Sequence, residues 1–196
     1  MIHKQKGENR EAGKIFIIEL LSGKICNEYV MKEVNKMSDE LRQLLDSCIE
    51  NGSETDLQVL SFLLQGVQKR IEQKSDAYIG GLLHMEREID KQSCEITIPI
   101  NPAINNNLNI VHGGITATVL DTAMGSLANY ILPEGYGAVT NQLNIHYIAP
   151  GIGDHLHCRA EIIHQGTKTI VVSGEAFRSD GKKIAYATGT FFIISK

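Results

Sequence analysis

This chain of 196 residues has few cysteines, no excess of basic charge and no apolar run long enough to cross a membrane. The four cysteines are widely scattered, with no C-x-x-C pair among them: Cys26, Cys48, Cys94 and Cys158. That distribution argues against a disulfide framework or a zinc site and favours the reducing cytoplasm. The net charge of −4, without a basic stripe, argues against nucleic acid as a partner. The apolar run over residues 15–21 contains Glu19 and is too short to cross a membrane.

Two regions of different texture follow each other along the chain, and we predict a boundary between residues 1–75 and residues 76–196. The first region has no proline and no strand alternation. We predict Ser38 as the N-cap of a helix that ends at Asn51-Gly52, and a second helix that begins near Ser53 or Thr55. Apolar residues recur at helical spacing in both helices: Leu41, Leu44, Leu45, Cys48, Ile49, Leu57, Leu60, Leu64, Val67 and Ile71. An all-helical N-terminal region is therefore expected.

The second region has the alternation and turn residues of β-strands, interrupted by one long apolar helix. The helix is predicted from about Gly113 to Leu132. Strands are predicted over residues 80–88, 94–100, 137–148, 155–164, 167–179 and 184–195. One long helix followed by a run of antiparallel strands indicates an α+β architecture, with the helix packed across one face of the sheet.

The helical segment VHGGITATVLDTAMGSLANYIL combines a glycine pair with a single carboxylate. Gly113 and Gly114 stand where an Asn-rich loop gives way to the helix. A helix start presents unpaired backbone N–H groups and the positive end of the helix dipole, and glycine lets a ligand oxygen approach them. Asp121, two turns further along, can act beside them as a base or a nucleophile. The combination predicts a site for a reaction that develops negative charge.

Asp121 is expected on a buried face of this helix, because Ala117, Met124 and Ala128 share its side of the helical wheel. No Lys or Arg occurs over residues 92–158 to neutralise it. An unpaired buried carboxylate is costly and is retained mostly where it is functional. The alternative is an aspartate whose oxygens accept hydrogen bonds from backbone N–H groups or from a threonine hydroxyl.

Residues 80–194 resemble the hotdog-fold acyl-CoA thioesterases of the phenylacetate-degradation (PaaI-like) subfamily. The resemblance rests on the order and spacing of several pieces: Asn106, HGG at 112–114, Asp121, GAVTNQLNIHYIAPGIGD and HQGTKTIVVSGEAFRSDGKKIAYATGTF. It implies the hotdog fold, an antiparallel sheet of five or six strands wrapped around one long central helix. It also implies a homodimer with active sites at the subunit interface, and dimers that often pair into tetramers.

The same resemblance implies a role for each motif residue. The backbone N–H of Gly113 polarises the thioester carbonyl, and the Asn106 amide helps to hold the substrate or the attacking water. His112 orders the loop and contacts the thioester side. Asp121, from the other subunit, activates water or attacks directly, and Thr140 positions the nucleophilic water. A thioester needs only a polarising N–H and a base, so no metal and no cofactor beyond the substrate's own coenzyme A is expected.

Further side chains remain open to two interpretations. Lys168 and Arg178 either lie on a solvated sheet edge and prevent its pairing with another strand, or they bind the phosphates of coenzyme A. In the second case Gly114 is a further substrate-binding residue. His155 and His157 alternate on one face of a strand, but without a third ligand in view we predict no metal site.

Two functions follow from these patterns. The first is hydrolysis of an acyl-CoA thioester to a carboxylic acid and free coenzyme A. The alternative is a non-catalytic acyl-CoA sensor whose N-terminal helices form an output module. Residues 1–74 hold 11 Lys and Arg against 12 Asp and Glu, which argues against a DNA-binding output. In an enzyme those helices would either narrow the acyl entrance or only add stability.

Overall fold

The computed structural model of the protein describes residues 30–72, 74 and 77–195. The chain divides into two compact units, Met1–Leu57 and Gln58–Lys196. The predicted boundary between the helical region, residues 1–75, and the hotdog domain, residues 76–196, stays a prediction. No helix in the described ranges is long and apolar enough to cross a membrane.

The first described helix, α1, covers residues 30–51 and ends at Gly52 as predicted. The prediction of Ser38 as its N-cap is wrong, because Ser38 lies inside the helix. Its hydroxyl instead donates to the backbone carbonyl of Val34 at 2.9 Å, the bond that a serine in mid-helix makes to the preceding turn. Leu41 and Leu44 of the apolar stripe are exposed.

The second helix, α2, spans Glu54–Ile71 and begins with a reciprocal cap. The Ser53 N–H donates to Asp56 Oδ2 at 2.9 Å, and the Asp56 N–H donates to Ser53 Oγ at 3.3 Å. These bonds satisfy two of the orphan donors at the helix start. The Ser53 hydroxyl also donates to Asp56 Oδ2, at 2.6 Å, and this bond together with the one from the Ser53 N–H holds the pKa of Asp56 below its usual value. The predicted start near Ser53 is confirmed.

A short helix, α3 (Tyr78–Leu82), packs closely against α2. A Cβ on Gly66 of α2 would lie only 2.7 Å from the Gly81 carbonyl oxygen, so the two backbones meet without a side chain between them. The Phe62 ring stacks on His84 with ring centroids 4.0 Å apart. The strand predicted over residues 80–88 is therefore wrong in its first half. Its apolar, glycine-containing start folds as a helix that fits against α2, and only its second half is extended.

Six strands form one antiparallel sheet in the order β1-β2-β4-β5-β6-β3. Their bounds are β1 Glu86–Ile89, β2 Ser93–Pro99, β3 Tyr136–Tyr147, β4 His155–Gln165, β5 Thr169–Arg178 and β6 Lys183–Ser195. A single 3-10 turn (Pro102–Ile104) leads from β2 into the Asn-rich loop. Five of the predicted strands are confirmed within a few residues, and the α+β hotdog architecture is confirmed with them.

The long helix α4 (Gly113–Tyr130) packs across the inner face of this sheet. It buries one stripe of side chains against the strands: Thr116, Val119, Leu120, Ala123, Met124, Leu127 and Ala128. The inward residues of the strands complete the core; Ile96, Ile98, Leu156, Ile170, Val172 and Phe191 are almost completely buried. Burial of this apolar area, at about 25 cal/mol per Å², fixes the position of α4 on the sheet.

The C-terminal end of α4 is also hydrogen-bonded to β3. The Asn129 amide donates to the Ala138 carbonyl at 3.1 Å and accepts from the Ala138 N–H at 2.9 Å. Two bonds to one residue fix the register between helix and strand. β3 is nevertheless the edge of the sheet, twelve residues long, and Val139 and Tyr147 on it are about half exposed.

Gly66→Ala tests the close packing of α2 on α3. Alanine favours a helix over glycine by about 1 kcal/mol, but here its methyl group meets the backbone of α3. We expect a net loss of roughly 1–3 kcal/mol in the free energy of unfolding, measured by urea denaturation. The exposed Ser61→Ala on the same helix is the control and should stay within about 0.5 kcal/mol of the parent. A stabilised Gly66→Ala protein would contradict the packing.

Candidate active site

The start of α4 is capped by the histidine that precedes it. His112 Nδ1 accepts a hydrogen bond from the Gly114 N–H at 3.0 Å. The Ile115 and Thr116 N–H groups donate to the His112 carbonyl, at 2.9 and 3.2 Å. Of the first N–H groups of the helix, that of Gly113 has no acceptor among the described residues, so it remains available to a ligand.

Gly113 lies in a largely apolar cavity of about 400 Å³, which we call the Gly113 cavity. Asn106, Tyr147 and Ile148 line the same cavity. A methyl group on Gly113 would make an ordinary contact with the Tyr147 ring, at 3.5 Å. Glycine is therefore not required here by its own protein neighbours, which fits a role in leaving room for a ligand.

Asn106 holds the loop before the helix through its side-chain oxygen. That oxygen accepts from the Leu108 N–H at 2.9 Å and from the Ile110 N–H at 3.4 Å. The Asn106 N–H also donates to the Ile110 carbonyl. The side-chain oxygen is thus engaged in the turn, and the Nδ2 group, without an acceptor in the described part of the chain, is the part able to contact a substrate.

Asp121 lines a second open cavity of about 520 Å³, which we call the Asp121 cavity. Ser126, about one and a half turns further along α4, lines the same cavity. The prediction that Asp121 is buried is wrong: the carboxylate is partly exposed, beside the buried stripe of α4. The Thr140 hydroxyl of β3 donates to Asp121 Oδ1 at 3.0 Å. The structure therefore brings Asp121 and Thr140 together. Oδ2 accepts no hydrogen bond from the described residues, and Asp121 lines the open cavity.

The two cavities are separate within one chain. Gly113 and Asp121 are eight residues apart on α4, which places them about 12 Å apart along the helix axis. A base must lie within hydrogen-bond reach of the water that attacks a polarised carbonyl, either directly or through one water. Gly113 and Asp121 of a single chain cannot meet that requirement.

Three residues near these groups were missed from the sequence. Tyr147 donates to the Gly113 carbonyl at 2.7 Å, Arg87 donates to Ser126 Oγ at 3.3 Å beside the Asp121 cavity, and Asn129 lines that cavity. Alternation along β3 could have revealed Tyr147, because it shares the inward face with Leu143 and Ile145. The contact of Arg87 depends on tertiary packing and leaves no local signal.

Lys168 and Arg178 are not brought together. They lie at opposite ends of β5, about 30 Å apart along an extended strand. Arg178 binds Asp180 through two hydrogen bonds, and this contact lowers the pKa of Asp180 to about 2. The pair therefore stays ionised at neutral pH. Lys168 and Arg178 of one chain cannot bind the same phosphate group, and Arg178 already has a carboxylate partner.

The alternating histidines lie on the outer face of the sheet, away from α4. His157 is 3.1 Å from the Thr97 hydroxyl and 3.6 Å from a Glu95 oxygen. Across the described ranges no group of three or more His, Cys, Asp or Glu side chains is arranged to hold a metal ion.

Two cysteines lie in the core, where they cannot act as nucleophiles. Cys94 and Cys158 are inaccessible to solvent. Burial raises the pKa of Cys94 to about 11 and that of Cys158 well above its usual range. Only a thiolate attacks, so the carboxylate of Asp121 remains the candidate nucleophile or base.

The chain belongs to the thioesterase superfamily, whose family model matches residues 108–185. It is 30% identical to acyl-coenzyme A thioesterase 13 of Mus musculus over 103 residues, covering 52% of this chain and 71% of the relative. It is 28% identical to the acyl-coenzyme A thioesterase PaaI of Escherichia coli over 102 residues, with coverages of 52% and 71%. The predicted resemblance is confirmed.

A solved structure extends the similarity beyond the hotdog domain. A Bacillus halodurans protein, solved with CoA, is 41% identical to this chain and superposes with a TM-score of 0.73. The match covers 78% of this chain and 99% of the other. Residues 76–196 make up less than 78% of this chain, so the matched part must include residues before position 76. The helical region before the hotdog domain is therefore at least partly common to both proteins.

Thiol labelling checks the assignment of Cys94 and Cys158. In the native protein near pH 8 we expect both to react with an aromatic disulfide reagent at least about a hundredfold more slowly than the exposed Cys48, because their thiolate populations are small. Mass spectrometry of labelled peptides gives the rate at each site. Urea should abolish the difference. Labelling of native Cys158 at the rate of Cys48 would contradict its burial.

Proposed function

We propose that the protein hydrolyses acyl-CoA thioesters to a carboxylic acid and free coenzyme A. The single observation that carries the proposal is the pair of functional groups on α4. It presents the Gly113 N–H at its start and carries an accessible carboxylate that bonds to Thr140. The relatives named as acyl-coenzyme A thioesterases support the same substrate class, as does the similar structure solved with CoA.

The chemistry uses the start of α4 and the carboxylate near its middle in different ways. The thioester carbonyl oxygen accepts a hydrogen bond from the Gly113 N–H, where the helix dipole favours the negative charge of the tetrahedral intermediate. The Asn106 Nδ2 group holds the substrate beside it, and His112 orders the loop. Asp121 takes a proton from water as the water attacks the carbonyl carbon, and collapse of the intermediate expels the coenzyme A thiolate, which is then protonated.

Thr140 fits a role in placing the water. Its one hydroxyl proton is directed to Asp121 Oδ1, so its oxygen lone pairs can accept from a water that also bonds to the carboxylate. Asp121 acting as a nucleophile would use the same open side of the carboxylate. No metal and no further cofactor is required by either route.

Each site is proposed to form between two subunits, with Asp121 of one chain facing Gly113 and Asn106 of the other. The separation of about 12 Å between Gly113 and Asp121 along one helix supports this arrangement. β3 supports it as well, because a long edge strand with exposed apolar residues is an unpaired template for another strand. Pairing of two β3 edges in a homodimer would cover it, and two dimers could form a tetramer.

Gly114 and Lys168 are proposed to contact coenzyme A. Arg178 is the weaker candidate, because its guanidinium already donates to the Asp180 carboxylate. Lys168 and Arg178 of one chain would have to serve different substrate molecules, given the length of β5. The cytoplasm is the proposed location, since four scattered cysteines suit a reducing compartment.

Asp121→Asn tests the proposed chemistry. Loss of the base or nucleophile should lower kcat for acyl-CoA hydrolysis by about two to four orders of magnitude, with release of free thiol as the readout across acyl groups of different length. The thermal unfolding midpoint should not fall. Glu134→Gln, an exposed carboxylate just after α4, is the matched control and should keep full activity. Turnover of Asp121→Asn within threefold of the parent would exclude Asp121 from the chemistry.

Oligomeric state tests the shared site. We expect a dimer or a tetramer by light scattering at micromolar concentration, because an uncovered β3 edge is unfavourable for a monomer. A monomer with full activity at that concentration would show that one chain is sufficient.

A further inference from the structure

A continuous chain of hydrogen bonds links Tyr147 to His112 through one peptide group. The Tyr147 hydroxyl donates to the Gly113 carbonyl at 2.7 Å. The N–H of the same peptide group, that of Gly114, donates to His112 Nδ1 at 3.0 Å. Hydrogen bonds at both ends of a peptide polarise each other, so the tyrosine contact strengthens the bond to the imidazole.

The bond from the Gly114 N–H to Nδ1 sets the tautomer of neutral His112, and the Tyr147 contact strengthens that bond. A backbone N–H can only donate, so Nδ1 must be the lone-pair nitrogen. The single proton of the neutral ring is then on Nε2. His112 is exposed and directly precedes Gly113, so its Nε2–H is free to donate to a ligand bound at the Gly113 N–H.

The position of the Tyr147 hydroxyl is set by rigid neighbours. Tyr147 is the last residue of β3 and pairs with Ala185 of β6. After it, the chain turns so that the Gly151 carbonyl accepts from the Val111 N–H at 2.9 Å. These contacts hold the end of β3 against the loop that enters α4, with the Tyr147 ring directly beside Gly113.

We propose that Tyr147 is a positioning residue of the thioester site. It acts through the Gly113–Gly114 peptide to hold His112 as the Nε2–H tautomer, with that N–H presented to the substrate. The kinetic consequence rests on the proposed function, whereas the tautomer is a property of the protein without substrate. A purely structural tether would fix the start of α4 but would not determine the state of the imidazole.

Tyr147→Phe is the test, because it removes the hydroxyl and keeps the ring. Heteronuclear NMR of ring-labelled histidine, with the His112 signals identified by their loss in His112→Gln, reports the tautomer. In the parent protein above pH 8 we expect the Nε2–H form, and in Tyr147→Phe a measurable Nδ1–H population. We also expect kcat for acyl-CoA hydrolysis to fall about two- to tenfold, the worth of one hydrogen bond, with KM unchanged. Tyr186→Phe, on the outer face of the sheet, is the control for both measurements.

An Nδ1–H tautomer in the parent protein would overturn the proposal, whatever the activity. So would an unchanged tautomer in Tyr147→Phe, even with lower kcat and a lower unfolding temperature, because that result describes a tether. If the parent protein hydrolyses no acyl-CoA, the proposed function fails while the NMR comparison still decides the role of Tyr147.

Discussion

The attachment of α4 to the edge strand β3 is the constraint on which the candidate site depends. Three side-chain contacts join them: Tyr147 with Gly113, Thr140 with Asp121, and Asn129 with Ala138. Each hydrogen bond contributes only about 1 kcal/mol to stability. Together they fix the rotation and register of the helix on the strand, and so decide which way the Gly113 N–H and the Asp121 carboxylate face.

Burial of the apolar core stabilises the packing of α4 on the sheet, and the polar contacts determine its rotation and register. One stripe of α4 is buried by the sheet, while Asp121 lies beside that stripe, where a substrate can reach it. The helix start and the carboxylate open into different cavities of one chain. A two-fold axis beside β3 would resolve this separation, since each subunit would present the start of its helix to the carboxylate of the other.

The α+β architecture could be predicted from clear strand alternation and one long apolar helix, and the resemblance of the motifs to a known family then implied the hotdog fold. Local patterns failed where tertiary packing decides. The apolar run around Gly80 reads as a strand but folds as a helix that fits Gly66. Ser38 has the chemistry of an N-cap but lies within a longer helix. Asp121 has apolar neighbours on a helical wheel, yet the helix is rotated so that the carboxylate is accessible. Alternation along β3 places Tyr147 on the inward face, but its hydrogen bond to the Gly113 carbonyl depends on how α4 packs on the sheet.

The central claim, that each site takes Asp121 from one chain and Gly113 from the other, is tested most directly by mixing two inactive variants. Asp121→Asn chains are refolded together with Gly113→Pro chains, in which the N–H is removed at the first helical position, where proline is tolerated, and the mixture is compared with each variant refolded alone. In a shared-site dimer, half of the molecules are mixed and each has one intact site, so activity should return to about a quarter of the parent value. Mixed dimers that form but stay as inactive as the separate variants would contradict a site shared between subunits.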